Sequence, residues 1–252
     1  MAKKENEMSH KDAVILNSRD AVVLNQVTRT YRREGFEVRA LDDVTMRIPQ
    51  GSFVAIMGPS GSGKTTMLNL ITGIDHPTSG HVSVGGEEIT GMNENDLADW
   101  RARHIGLVFQ FYNLIPVLTA FENVELPLLL TDLDKAERKT HVEAALEAVG
   151  LAERMNHYPR QLSGGQEQRV AIARAIVTDP TIVVADEPTG DLDAKSAEEI
   201  LTLLSELNRR FKKTIVMVTH DSRAERYVDS IFRLDKGVFI HAESVLIGGE
   251  DR

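Results

Sequence analysis

A glycine-rich stretch places the strongest constraint on how this chain can fold. Residues 58–66 read Gly-Pro-Ser-Gly-Ser-Gly-Lys-Thr-Thr and fit the pattern G-x-x-x-x-G-K-[ST] at every fixed position. The apolar run at 53–57 before it has the length of a buried strand, and residues 67–72 after it predict a helix. Because strand, glycine loop and helix are the context that this pattern requires, the stretch predicts a phosphate-binding loop.

The residue types of this loop suit a bound phosphate. Glycines let the backbone curl so that successive N–H groups point inward, and the following helix adds the positive end of its dipole. The pattern brings Lys64 to the β- and γ-phosphates, and the Thr65 hydroxyl can ligate Mg²⁺. The alternative is a glycine-rich turn between a core strand and a core helix. The predicted nucleotide-binding residues of the loop are Gly58, Ser60, Gly61, Ser62, Gly63, Lys64, Thr65 and Thr66.

An acidic pair follows a second apolar run, at residues 182–185. Asp186 ends this predicted strand at the carboxyl edge, where α/β sheets bind ligands, and would hold Mg²⁺ directly or through water. Glu187 comes next and is well placed to polarise an attacking water. Alone, the pair is equally compatible with a strand that ends in two solvated carboxylates. Together with the glycine loop, it predicts a nucleotide site.

Residues 162–166, Leu-Ser-Gly-Gly-Gln, precede a helical run over 168–178. Ser163, Gly164 and Gly165 can present hydroxyl and N–H donors at a helix N-terminus, which would make a second anion site. One γ-phosphate does not need two such sites. A head-to-tail pair of chains resolves this, because each would supply the segment to its partner's nucleotide across a two-fold axis. As a bare pentapeptide, the segment also fits a helix N-cap on a flexible turn.

The remaining pattern predicts an α/β fold. Strands alternate with helices, which favours a mainly parallel sheet with right-handed crossovers. Further strands are predicted at 21–31, 38–48 and 214–219, and a hairpin over 230–240 turns at residues 235–237, Asp-Lys-Gly. The predicted divisions are a mobile tail over 1–19, one domain over 20–241 with an inserted helical subdomain over about 93–178, and a short tail over 242–252.

Composition narrows the possible partners. The 252 residues carry a formal net charge of −9, which argues against nucleic acid as the main ligand, because phosphate backbones demand a basic face. The chain has no cysteine, so disulfide and thiol chemistry are excluded. No secretory signal is visible, and no apolar run approaches the ~18 residues needed to cross a bilayer. We therefore expect a soluble, cytoplasmic protein whose membrane attachment comes through a partner.

These features resemble, in order and spacing, those of an ABC-transporter ATPase subunit, with His220 as the last of the series. The resemblance extends over residues 21–240. It implies a P-loop NTPase core with a mainly parallel sheet, an antiparallel β subdomain and an inserted α-helical subdomain. It also implies hydrolysis of Mg²⁺–ATP, a homodimer formed through ATP, and a separate transmembrane permease that holds the chain at the inner face of the membrane.

The resemblance implies roles for further residues. Tyr31 matches the aromatic that stacks on adenine, although a surface tyrosine at a strand edge is the alternative. Gln110 matches the glutamine that reaches Mg²⁺ and the attacking water, Asp193 lies in the loop that crosses the dimer interface, and His220 meets the γ-phosphate. The implied catalytic residues are Lys64, Gln110, Glu187 and His220; the implied metal ligands are Thr65, Gln110 and Asp186; the implied nucleotide contacts outside the phosphate loop are Tyr31, Ser163, Gly164, Gly165, Gln166 and Asp193.

Shorter stretches resemble one subgroup of this family. Residues 113–116, Asn-Leu-Ile-Pro, and 187–193, Glu-Pro-Thr-Gly-Asp-Leu-Asp, look like the ATPases of lipoprotein-release and macrolide or peptide exporters. The alternative is a regulatory ATPase of the cell-division or antibiotic-sensing type, which controls a membrane partner without moving a solute. The motifs serve both equally. Residues 120–130 are predicted to lie near the groove that receives a permease helix, or else to form ordinary subdomain core.

Overall fold

The computed structural model describes residues 20–33 and 35–244, so the predicted tail at 1–19 and residues 245–252 lie outside the described part of the chain. The strands are β1 (Asp20–Arg33), β2 (Phe36–Pro49), β3 (Phe53–Met57), β4 (Ser79–Val84), β5 (Glu87–Glu88), β6 (Ile105–Val108), β7 (Ile182–Asp186), β8 (Thr214–Thr219), β9 (Ser230–Asp235) and β10 (Val238–Ser244). The helices are α1 (Lys64–Ile71), α2 (Glu94–His104), α3 (Ala120–Glu125), α4 (Lys135–Ala148), α5 (Gly164–Ile176) and α6 (Ala194–Phe211).

Two sheets carry the fold. The smaller is antiparallel, in the order β2-β1-β4-β5. The larger has the order β10-β9-β3-β8-β7-β6, in which β9 through β6 run parallel and only β10 is antiparallel. The predicted class, an α/β core with a mainly parallel sheet, an antiparallel β subdomain and added helices, is confirmed. Because the strands are parallel, the carboxyl ends of β3, β6, β7 and β8 meet at one edge of the sheet.

The larger sheet has an apolar layer on each side. Every residue of β3 and of β8 is buried, as is typical of parallel strands covered on both faces. One layer contains residues of α3, α4, α5 and α6, and the other contains α1, α2 and the antiparallel sheet. The two sides of the sheet therefore belong to different parts of the chain, and the strand ends lie between them.

The helices follow their sequence signals closely. Capping boxes begin α3 at Thr119, α4 at Asp134 and α5 at Ser163, where each side chain accepts from a backbone N–H two or three residues ahead. The large apolar side chains of α6 are buried, except that of Phe211 at its end, which is half exposed. Within the described residues, no helix combines the length and apolar character needed to cross a membrane.

The first hairpin and the last strand extend beyond the bounds that the sequence patterns predict. The first hairpin is longer than expected, since β1 reaches Arg33 and β2 begins at Phe36. Strand β10 continues to Ser244, into the range predicted as a tail. Strand β6 lies inside the range 93–178 and pairs in parallel with β7, so this range contributes a strand to the central sheet as well as helices. Strand pairing over such sequence distances depends on tertiary contacts, which local patterns do not report.

Candidate active site

The phosphate loop between β3 and α1 is wedged against two other elements. A Cβ at Gly58 would lie 2.1 Å from the carbonyl oxygen of Leu234, at the end of β9. A Cβ at Gly63 would lie 2.4 Å from the carbonyl oxygen of Ala40, and the φ of Gly63 is +105°. Real Cβ atoms do not approach backbone oxygens this closely, so these two positions require glycine. The loop's shape is therefore set by its neighbours as well as by its own sequence.

Inside the loop, Lys64 is almost fully buried. Its Nζ donates to the carbonyl oxygens of Gly58 and Pro59, at 2.8 and 2.9 Å. Ser62 is also buried, and its hydroxyl has no hydrogen-bond partner in the described part of the chain. A buried cation held only by backbone carbonyls and an unpaired buried hydroxyl are donors ready for an anion, because an unsatisfied buried polar group is costly.

Three neighbouring strand ends supply a second group of side chains. Glu187 follows β7 with a φ of +48°, and its N–H donates to the carbonyl oxygen of Val218 in β8 at 2.9 Å. His220 follows β8, and its Nδ1 lies 2.9 Å from a carboxylate oxygen of Glu187. Gln110 follows β6, and a Cβ at Gly190 would lie only 3.0 Å from its side chain. The glycine at 190 thus makes room for Gln110 beside the Glu187 segment.

Asp186 ends β7 in a half-buried position between charges of both signs. Burial raises the pKa of its carboxyl group, and the nearby Glu187 raises it further, while Lys64 lowers it. A second cation beside these carboxylates would favour the ionised form of Asp186. Together with the hydroxyl of Thr65 and the amide oxygen of Gln110, this carboxylate forms a set of hard oxygen ligands, which is the chemistry that Mg²⁺ prefers.

These ligands fit a metal that is shared with a phosphate. Between residues 20 and 244, position 34 aside, there is no group of three or more His, Cys, Asp or Glu side chains able to hold a metal ion. Mg²⁺ typically uses one or two carboxylates and completes its coordination with water and substrate phosphates, so a protein cage is not required. The donor set therefore fits a nucleotide-bound Mg²⁺.

A cleft of about 850 Å³ joins the phosphate loop to the strand ends. Its size suits a nucleotide. The structure brings ten of the predicted residues to it: Ser60, Gly61, Gly63, Lys64, Thr65, Thr66, Gln110, Asp186, Glu187 and His220. The other predicted residues do not line it: Tyr31, Gly58, Ser62, Ser163, Gly164, Gly165, Gln166 and Asp193.

The segment at 162–166 lies at the start of α5, beside the start of α6. Ser163 caps α5 by accepting from the N–H of Gln166, whose side chain accepts from the N–H of Ser163 in return. Asp193 caps α6 by accepting from the N–H groups of Lys195 and Ser196, and its hydrogen bonds with Ser196 hold the pKa of its carboxyl group below the usual value. A Cβ at Gly165 would lie 3.3 Å from Ser196. The two helix N-termini thus form one exposed edge that is not part of the cleft.

Tyr31 is held by a small polar network on β1. Its hydroxyl donates to Asp75 at 2.8 Å, and the guanidinium carbon of Arg29 lies 4.5 Å from the centre of its ring. Arg29 is also paired with Asp75 at 2.7 Å. Tyr31 itself does not line the cleft, but its partner across the strand pair, Val38, does. The ring therefore stands at the edge of the cleft with one face covered by Arg29.

The sequence patterns missed one wall of the cleft. Arg39 and Ala40 of β2, with Lys236 and Gly237 of the β9–β10 turn, also line the cleft. Lys236 and Gly237 both have positive φ, as the two central residues of a type I′ hairpin turn do. The N–H of Gly237 donates to the carbonyl oxygen of Ser62. The turn was recognisable in the sequence, but its packing on the phosphate loop was not.

Comparisons with known proteins agree with this site. The family model described as ABC transporter matches residues 41–190. MJ0796 of Methanocaldococcus jannaschii, an uncharacterized ABC transporter ATP-binding protein, is 46% identical over 92% of this chain and 100% of its own length. The ABC transporter ATP-binding protein YtrE of Bacillus subtilis is 46% identical over 80% of this chain and 87% of its own.

Solved structures give the same result. MJ0796 has been solved as a dimer in a post-hydrolysis state bound to ADP and Pi. This chain is similar to that structure with a TM-score of 0.81 and 44% identity, and the match covers 91% of this chain and 100% of that one. CbiO1 of Clostridium perfringens, part of the ABC transporter complex cbiONQ, has a TM-score of 0.82 at 28% identity, covering 90% and 89%.

The fold and the cleft define a phosphate-loop ATPase, with an anion loop, an acidic strand end and a histidine on the next strand. The family model spans more than half of the sequence, and relatives well above 30% identity span most of it. The chain therefore belongs to the ABC transporter family, as an ATP-binding subunit.

Proposed function

We propose that two copies of this chain bind two ATP molecules between them and that hydrolysis drives a separate membrane permease. One observation carries the proposal. The cleft holds the phosphate loop and the strand-end side chains, but not Ser163 or the glycines after it. A second anion site on a separate edge is explained if it completes the cleft of another copy. The dimeric MJ0796 structure with ADP and Pi supports the same arrangement.

The phosphate loop would bind the nucleotide by exchanging partners. Lys64 would release the carbonyls of Gly58 and Pro59 for the β- and γ-phosphate oxygens, and the loop N–H groups would complete the cradle. Thr65, Gln110 and Asp186 would hold Mg²⁺, which neutralises charge on the phosphates. Tyr31 would stack on the adenine with the ring face that Arg29 leaves free.

The strand-end side chains would carry out hydrolysis. Glu187 would accept a proton from the attacking water, and Gln110 would help to orient that water. His220, now paired with Glu187, would donate to the γ-phosphate as negative charge develops there. Ser163 of one copy would close over the γ-phosphate held by the other. Loss of that bridging phosphate would allow the two copies to separate.

The surface beside the Gln110 segment would receive the permease. Within the stretch 120–130, Val124 and Leu128 are buried, whereas Leu129 and Leu130 are exposed at 55% and 81%. Phe111 and Val117 are exposed nearby in sequence, at 66% and 78%. Apolar side chains exposed in this way are typical of a docking surface. The stretch thus supplies both core and surface, and docking here would hold the chain at the inner face of the membrane.

We further propose an exporter of the lipoprotein-release or macrolide and peptide type. The support is the sequence at 113–116 and at 187–193, together with Gly190, whose lack of a side chain accommodates Gln110. Co-purification with membrane proteins, followed by ATPase assays with candidate cargo, tests this proposal. Stimulation by an exported lipoprotein, macrolide or peptide supports it. Stimulation only by a periplasmic enzyme would favour the regulatory type instead.

The composite site is tested by comparing two helix caps. Ser163→Ala and Thr119→Ala each remove a capping-box hydroxyl, so each should cost about 1 kcal/mol of stability. Only Ser163→Ala should slow ATP hydrolysis, by about 10- to 100-fold, which corresponds to one lost hydrogen bond to a charged group. Specific ATPase activity of the unaltered chain should also rise with protein concentration. Full activity as a strict monomer, with Ser163 dispensable, would contradict the proposal.

A further inference from the structure

A buried glutamine on α5 connects the two strand-end segments of the cleft. Gln168 has no exposed surface, and its Nε2 donates to the carbonyl oxygen of Pro188 at 2.7 Å and to that of Phe109 at 3.2 Å. Its Oε1 has no hydrogen-bond partner among the described residues. Turning the amide over would set this oxygen against two carbonyl oxygens. The orientation is therefore fixed, and the unpaired oxygen is its cost.

The two carbonyls belong to the neighbours of the reacting side chains. Phe109 immediately precedes Gln110, and Pro188 immediately follows Glu187. We infer that Gln168 is a positioning residue that holds Gln110 in register with Glu187 for ATP hydrolysis. The inference rests on the proposed function and adds a residue to it. The pairing of β6 with β7 ends at Val108 and Ala185. Beyond that point, the amide N–H₂ group of Gln168 joins the two segments that follow these strands.

Gln168 also relates the segment at 162–166 to these strand ends. It lies on α5, whose N-cap is Ser163, so a shift of this helix moves the amide that holds both segments. Arg174 on the same helix donates separately to the carbonyl oxygens of Tyr112 and Asn113. The segment after β6 thus has a second anchor. Loss of the Gln168 amide should misplace Gln110 without releasing the whole segment.

The fold contains a matched control for this role. Asn208 on α6 is also buried, and its Nδ2 donates to the carbonyl oxygens of Gly51 and Lys213, at 2.7 and 2.8 Å. As at Gln168, one carboxamide bridges two backbone carbonyls. Gly51, Asn208 and Lys213 do not line the cleft. A purely structural role for Gln168 predicts that the two amides behave alike when replaced.

The experiment compares Gln168→Met with Asn208→Leu in the full-length chain. Both variants should lose thermal stability to a comparable extent. Gln168→Met should lower kcat by about 10- to 100-fold with the ATP Kd unchanged, because small misplacements of reacting groups cost this much. Asn208→Leu should change kcat by less than about 3-fold, within the range expected away from the site. Equal effects of the two variants on kcat would overturn the inference.

A double substitution separates positioning from general damage. If Gln168 acts through Gln110, then Gln110→Ala combined with Gln168→Met should be no slower than Gln110→Ala alone, and multiplied losses would overturn the inference. If Gln168→Met does not fold, Gln168→Glu can be used instead, because it keeps the shape of the side chain and loses both N–H donors. An unchanged kcat in this variant would also overturn the inference. Hydrolysis by the unaltered chain, and its loss in Glu187→Gln, report on the proposed function separately.

Discussion

The phosphate loop and the strand-end group meet in one cleft, but they are built in opposite ways. The loop is a single contiguous run, residues 58–66, in which Gly58 packs against Leu234 and Gly63 against Ala40. The strand-end group collects Gln110, Glu187 and His220 from segments that follow β6, β7 and β8. A contiguous loop can be specified by local sequence, whereas the second group exists only once parallel pairing has aligned the strands.

We expect this difference to separate ATP binding from turnover. The loop offers N–H groups and a buried cation, which suit the phosphates in the ground state. The strand-end group offers a carboxylate and an imidazole, 2.9 Å apart. The carboxylate suits proton transfer from water, and the imidazole suits the negative charge that develops during hydrolysis. Substitutions in the loop should therefore weaken ATP binding, and substitutions at the strand ends should slow hydrolysis while binding is kept.

The largest effect is expected for Lys64→Ala. Each charge-assisted hydrogen bond contributes about 1.5–3 kcal/mol, so loss of the contacts to two phosphates should weaken binding by at least about 100-fold. Turnover should be lost with it. Calorimetric titration with ATP measures the affinity. An unchanged affinity would contradict the assignment of the loop, and an intact folding transition serves as the control.

Glu187→Gln should slow hydrolysis at the strand ends while ATP binding by the loop is kept. Removing a general base typically costs about 100- to 10,000-fold in rate, while the isosteric amide leaves the cleft in place. The variant should bind ATP and accumulate a dimer, visible by size exclusion with light scattering. Hydrolysis at the parental rate would remove Glu187 from its role. A monomer in saturating ATP would instead count against the composite site.

The same substitution at two loop glycines sharpens the comparison within the loop. Gly63→Ala combines a φ of +105° with a collision against the Ala40 carbonyl, so it should cost about 1–3 kcal/mol of stability and most of the ATP affinity. Gly61 has a φ of +78° with open space around it, so Gly61→Ala should cost only about 1 kcal/mol. Denaturant unfolding and nucleotide titration measure both. Equal losses of stability and affinity in the two variants would mean that the close contact between Gly63 and Ala40 is unimportant.

The smallest effect is expected at the strand ends, for Gly190→Ala. The new Cβ would lie 3.0 Å from the side chain of Gln110, which is flexible and can move by a few tenths of an ångström. We expect turnover to fall about 3- to 10-fold through this displacement, with ATP affinity unchanged. Steady-state kinetics at saturating ATP checks this. A fall in affinity without a fall in kcat would assign Gly190 to binding.

Much of the fold could be predicted, because buried parallel strands and capped helices leave local signals. The apolar runs of β3, β7 and β8 and the cap at Ser163 are examples. The class of fold, the family and the ATPase chemistry followed from motif order. Local patterns failed at boundaries, such as the extension of β10 to Ser244, since the end of a paired strand depends on its partner.

The order of residues alone determined the phosphate loop, its flanking strand and helix, and the acidic end of β7, because each is a local unit with its own pattern. Only the tertiary structure decided which pieces share a cleft. It packed the turn at Lys236 and Gly237 onto the loop, set Gln110 over Gly190, and left Ser163 on a separate edge. Such contacts join residues far apart in the chain, where spacing carries no information about distance.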